Sequence, residues 1–191
     1  MRVTDIAGTQ ARVHSEGDAG TVLLLPGAAY PADGPLHWYA GRAAALRGWE
    51  VLALGGLAPT EDVTGWADRL LDDLAARAEA GRALVVAKDR SCGALAGALA
   101  RGISGVWLTP DLHDPTVAAA LSTAPALGLV VGATEDGTWD VRVAARIRGF
   151  EVFQVGGPDA NLEDRHDPHR SLDLLRRLID RVGALVDRIE A

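Results

Sequence analysis

Cysteine is almost missing from this chain: Cys92 is the only one in 191 residues. That excludes an internal disulfide and a zinc site built from cysteines. Lysine is as scarce. Lys88 is the one lysine among 19 basic residues, a bias we read as codon usage in a GC-rich genome and not as chemistry. Positive charge is also the minority sign. Nineteen Lys and Arg against 26 Asp and Glu give a net charge of −7 and a pI near 5.2, so there is no electrostatic footprint for a nucleic-acid backbone. No apolar run reaches the ~18 residues that a bilayer-spanning helix needs. The start, Met1 to Asp5, lacks the apolar centre of a secretory signal. Phosphate-cradling motifs are absent too, and Gly55-Gly56 and Gly156-Gly157 read as strand-end turns. These absences lead us to expect a cytoplasmic protein with no metal, cofactor, nucleic-acid partner or membrane partner.

What remains is the balance of a globular protein: 48% hydrophobic and 24% charged residues, which excludes a disordered chain. The length predicts one domain over residues 1–191. Short apolar runs at 21–25, 50–54, 83–87, 105–108, 127–131 and 151–155 predict strands buried on both faces, as in a parallel sheet. Residues 2–14 predict one or two more. Helical spacing predicts helices at 36–47, 63–80, 92–101, 114–122, 140–148 and 171–189, the last capped by Ser171. This alternation predicts an α/β fold with a doubly wound, mostly parallel sheet. Ligands in such sheets sit at the carboxyl ends of the strands.

The third parallel run enters its helix through Ala87-Lys88-Asp89-Arg90-Ser91-Cys92-Gly93. A nucleophile elbow has the form small-x-nucleophile-x-small at such a turn, because the backbone doubles back on itself. Two frames compete. Ala87-x-Asp89-x-Ser91 has two small flanks and starts where the strand ends. Asp89-x-Ser91-x-Gly93 centres a serine but begins late with a bulky flank. The first frame is preferred, and it puts a carboxylate where a serine normally stands.

With these segments in hand, the chain resembles the short, capless members of the α/β-hydrolase superfamily, of dienelactone-hydrolase-like or serine-hydrolase-like type. The resemblance rests on Leu25-Pro26-Gly27, Gly34-Pro35-Leu36, Ala87-Lys88 at the elbow, Trp107-Leu108-Thr109-Pro110 and Thr134-Glu135-Asp136-Gly137-Thr138-Trp139-Asp140. It implies an α/β-hydrolase fold without a cap domain, with Asp136 at the acid of the triad. It also implies an oxyanion hole from the N–H groups of Ala28 and Arg90. Where relatives carry the triad histidine between an Asp and a Leu-Glu pair, this chain has Ala160 within Asp159-Ala160-Asn161-Leu162-Glu163. With Asp89 at the serine and Ala160 at the histidine, the triad is degenerate. Ordinary ester hydrolysis is not expected, because no base remains to take and return the nucleophile's proton.

Three functions are open at this point. The first is a non-canonical enzyme acting on a small molecule by acid/base chemistry of lyase, isomerase or cyclase type. Asp89 and Asp136 would share a poorly solvated site, so that one holds a proton and the other does not. The second is a catalytically degenerate relative kept for binding or interaction. The third is an atypical hydrolase using Asp89 or Ser91 with His166, which lies in the same loop as Ala160. Tyr30, Lys88, Trp107 and Trp139 are candidate substrate contacts. Each has a plainer reading: Asp89 as a helix cap, Asp136 as a turn residue, His166 as a loop histidine, the tryptophans as core, and Lys88 and Arg90 as solvated. The chain is expected to be a monomer or homodimer.

Overall fold

The computed structural model describes residues 2–78, 81–123 and 127–191. Eight strands form one sheet: β1 (Arg2–Ile6), β2 (Thr9–Ser15), β3 (Thr21–Leu25), β4 (Glu50–Leu54), β5 (Ala83–Lys88), β6 (Ser104–Leu108), β7 (Gly128–Ala133) and β8 (Glu151–Val155). Their order is β1-β2-β4-β3-β5-β6-β7-β8. All neighbouring pairs from β4 to β8 are parallel, and β2 runs antiparallel to both β1 and β4. The N-terminal stretch thus forms a hairpin that pairs onto the sheet through β2. The helices are α1 (Pro35–Ala45), α2 (Val63–Arg77), α3 (Leu95–Ala100), α4 (Pro115–Thr123), α5 (Val141–Ala144) and α6 (Pro168–Glu190). None of the described helices is long and apolar enough to cross a membrane, and no cap domain interrupts the alternation.

The continuous apolar runs are explained by two cores, one on each face of the sheet. Leu23 and Leu25 point toward α2, α3, α4 and α5, whereas Val22 and Leu24 point toward α1 and α6. Successive strand residues face opposite sides, so a strand covered on both must be apolar throughout. In α6, Leu174, Leu178, Val182, Leu185 and Val186 form the buried stripe, each contributing roughly 1.5–3 kcal/mol of burial.

Helix boundaries depart from the periodicity where caps or loops win. The last helix begins at Pro168, not Ser171: Pro168 fits the first turn and the Asp167 side chain accepts from Arg170 N–H at 3.0 Å. Ser171 lies inside the helix, where its Oγ accepts from Asp164 N–H at 2.8 Å. The segment predicted as a helix over 140–148 is one α-helical turn capped by Asp140, after which the N–H groups of Arg146 and Ile147 turn back to Val143 and Ala144. The segment predicted over 92–101 opens as a 3-10 turn, Asp89–Ala94, before α3. The 63–80 segment is helical to Arg77, and residues 79 and 80 lie outside the described ones.

Candidate functional site

The carboxyl ends of β3, β5, β6 and β7 lie side by side at the centre of the sheet. At the end of β5 the chain turns sharply into its helix, and Asp89 takes the left-handed conformation, φ 50°. That conformation aims the side chain out of the turn. Asp89 therefore caps nothing: the N-cap of the 3-10 turn is Lys88, and no side chain bonds its N–H groups. One carboxylate oxygen, Oδ1, lies 2.6 Å from Lys88 Nζ and 2.9 Å from Thr109 Oγ1. The other, Oδ2, faces Gly27 in the loop after β3, where a Cβ would stand 2.5 Å from it. Gly27 is thus fixed by close approach, and its N–H closes the loop on Tyr30 carbonyl at 2.7 Å.

Lys88 and Thr109 are each 1% exposed, whereas the Asp89 side chain is 30% exposed. Lys88 Nζ also reaches Thr109 Oγ1 at 3.1 Å and sits 5.0 Å from the centre of the Tyr30 ring. Thr109 is itself in the left-handed region, φ 47°. For a β-branched residue that is an outlier costing on the order of 1–3 kcal/mol.

Tyr30 is half-buried beside this cluster. Its hydroxyl accepts from Leu36 N–H, in the first turn of α1, at 3.0 Å. Burial raises its pKa, opposed by the Leu36 N–H bond and helped by the carboxylates of Glu163 and Asp89. Against the same ring lies His37, with ring centres 5.7 Å apart. His37 is completely buried, and neither ring nitrogen makes a well-formed hydrogen bond. Burial, reinforced by the nearby Lys88 ammonium, lowers its pKa to about 4, against the pull of the Leu25 and Pro31 carbonyls and Asp89. It is neutral at physiological pH.

Asp136 follows β7. Its Oδ1 accepts from Thr138 N–H at 3.0 Å and Thr138 hydroxyl at 2.8 Å, while its Oδ2 is buried without a partner. β6 separates β5 from β7, so the strands that lead to Asp89 and Asp136 lie about 10 Å apart, twice the inter-strand spacing. The two carboxylates belong to one end of the sheet but not to one hydrogen-bonded pair. In the loop after β8, Asp159 Oδ1 accepts from the N–H groups of Asn161 and Glu163, which frames the turn around Ala160.

A sequence can share a fold without sharing recognisable sequence, and that is the case here. No protein-family model matches the chain, and no curated protein matches it. Among solved structures, Est1E from Butyrivibrio proteoclasticus matches with a TM-score of 0.72 at 10% identity, over 98% of each chain. An α/β serine hydrolase homologue from Coxiella burnetii gives 0.69 at 11% identity, covering 94% of this chain and 95% of that one. The chain has the α/β-hydrolase fold. An ancestral haloalkane dehalogenase is also similar, at TM-score 0.67 and 12% identity, with 100% and 99% covered. The sharp turn at Asp89 follows β5, at the centre of the sheet.

The other residues singled out from sequence fall in three places. Ala28 and Arg90 flank the elbow carboxylate. Ala28 is exposed and bonds to no other described residue, and Arg90 N–H belongs to the first turn, where such groups lack an intrahelical partner. The Arg90 guanidinium is exposed and reaches Pro59 carbonyl at 3.3 Å. Lys88 is not solvated, contrary to the plainer reading, because Asp89, Thr109 and Tyr30 enclose its ammonium. Ser91 is fully buried, and its hydroxyl donates to Pro26 carbonyl. Trp107 and Trp139 are core residues on the α2–α5 face, and Trp139 Nε1 donates to Gln154 Oε1 at 2.9 Å. His166 is exposed on its loop, six positions beyond Ala160. Cys92 is buried, which pushes its thiol pKa up. Among the described residues no group of three His, Cys, Asp or Glu is placed to hold a metal ion. Thr109 and His37 were missed as site residues. The available signal for the cluster was the single lysine at a strand end in a chain that otherwise uses arginine.

Proposed function

We propose that this chain is an α/β-hydrolase-fold enzyme in which the Asp89 carboxylate is the reactive group, acting on a small molecule by acid/base chemistry of lyase, isomerase or cyclase type. The observation that carries this reading is the state of Asp89. It stands in the left-handed conformation at the elbow, caps no helix, and keeps Oδ2 free of hydrogen bonds to any described residue, beside Gly27. An oxygen so placed takes a proton from a bound substrate, while the N–H groups of Ala28 and Arg90 face the charge that develops on it. Asp136, with its buried unpartnered Oδ2, is the second carboxyl group and exchanges a proton at the far side of a substrate spanning the two strand ends. With Ala160 at the position where the relatives carry the triad histidine, this reading uses proton transfer alone and no acyl-enzyme.

A panel of small hydroxy acids, lactones and enolisable carbonyl compounds, followed by NMR, tests this. Turnover by the wild type should fall by ~10²–10⁴ in Asp89→Asn, the usual worth of a positioned acid or base. Turnover that survives the substitution overturns the proposal. One observation favours a second reading, a non-catalytic binding protein: Lys88 is buried and needs a counter-charge, which Asp89 supplies. On that reading Asp89→Asn changes stability and no reaction is found.

A further inference from the structure

An ordinary carboxylate on a turn rotates about its last bond and offers either oxygen. Asp89 does not have that freedom. Oδ1 receives two hydrogen bonds, from the Lys88 ammonium and from the Thr109 hydroxyl, while no described residue bonds to Oδ2. The three partners close on themselves. Thr109 Oγ1 accepts from Lys88 and donates to Asp89, and the remaining side of the ammonium faces the Tyr30 ring. A lysine buried to this extent is rare unless paired, and it is the only lysine of the chain. Arginine, used everywhere else, is a planar five-donor fork that cannot act as a compact point charge in this space. Thr109 keeps an unfavourable backbone conformation and is as buried as Lys88. Each of the three neighbouring strand ends contributes to the arrangement: Gly27 after β3 backs Oδ2, Lys88 ends β5, and Thr109 follows β6.

We propose that Lys88 and Thr109 are positioning residues that clamp Oδ1 of Asp89 so that Oδ2 alone is presented at the elbow. The inference rests on Asp89 being the reactive group. It extends that reading by making the site one-sided: the substrate's proton must approach Oδ2, the oxygen that Gly27 backs. A simple ion pair would need only Lys88 and Asp89, whereas the clamp needs the Thr109 hydroxyl as well.

The test uses the full chain labelled with ¹⁵N-lysine, which gives one side-chain signal because there is one lysine. The wild type should show a slowly exchanging ammonium signal. Thr109→Ser, which keeps the hydroxyl, should retain it. Thr109→Val, which keeps the shape and removes the hydroxyl, should lose it, and Thr109→Ala should behave like Val if the valine variant does not fold. Circular dichroism verifies that each variant compared is folded. An unchanged signal in the folded Val or Ala variant overturns the clamp, as does its loss in the Ser variant. The signal does not depend on turnover, so the two ideas fail separately. Full activity in Asp89→Asn removes the function reading, and a persistent ammonium signal without the Thr109 hydroxyl removes the clamp.

Discussion

Protonation of His37 should be the main reason this protein loses stability between mildly acidic pH and pH 4. In the unfolded chain a histidine titrates near 6.5, and in the fold His37 titrates near 4, held down by burial and by Lys88. Below pH 6.5 the unfolded state takes up a proton that the folded state refuses, so stability is complete above that pH and falls as the pH drops to about 4. The gap between those two values corresponds to about 3 kcal/mol, a large part of the ~5–15 kcal/mol typical of a domain. His14 adds a smaller effect of the same sign, because its burial outweighs the neighbouring Asp33. Carboxylates held down in the fold, such as Asp140 and Asp164, act mostly at lower pH. Urea unfolding of the wild type and of His37→Leu, measured from pH 7.5 to 4, isolates the residue. Subtracting the two curves should leave a difference that varies by about 3 kcal/mol across the window, whatever the variant's absolute stability. A difference curve that is flat from pH 6.5 to 4 would refute the reasoning, and with it the placement of a neutral imidazole beside Lys88.

Other expectations concern the elbow. Asp89→Asn should cost about 3 kcal/mol, the low end for breaking a buried pair because Asp89 is partly exposed. Lys88→Met combined with it should recover most of that loss in denaturant titrations, and strictly additive losses would argue against coupling. Gly27→Ala should reduce turnover and push the Asp89 carboxylate aside, since the new Cβ would meet Oδ2 at 2.5 Å. A crystal structure of that variant with Asp89 unmoved would contradict this. Short p-nitrophenyl esters should be cleaved barely above background, and serine-directed fluorophosphonates should leave Ser91 unlabelled, because its buried hydroxyl is bonded to Pro26. Stoichiometric labelling found by mass spectrometry would reverse that conclusion.

The sheet was legible in the sequence because burial on both faces forces each strand to be apolar throughout, as Leu84, Val85 and Val86 illustrate. The two small residues around Asp89 likewise pointed to a sharp turn. What could not be read was which charges the fold would enclose. A lysine at a strand end is solvated unless another strand brings a partner, and here the partner is Thr109, 21 positions away and in a backbone conformation that its side chain disfavours. His37 sits on the apolar face of α1 among Leu36, Ala40 and Gly41, where periodicity registers only an interruption. The predicted cap at Ser171 failed for a related reason: Asp167 and Pro168 start the helix earlier, and no periodic signal marks a cap that precedes the apolar stripe.

The single enclosed lysine also makes the elbow its own reporter. Any acylation of a side-chain amine in the folded protein must occur at Lys88, and only during moments when its enclosed ammonium becomes accessible. The rate of that reaction, divided by the rate in the unfolded chain, is a direct count of how often the site opens. It can be followed by mass alone, with no engineered probe and no knowledge of the substrate. A ligand that binds over Asp89 should slow it, so the same amine that anchors the carboxylate can be used to find what the carboxylate acts on.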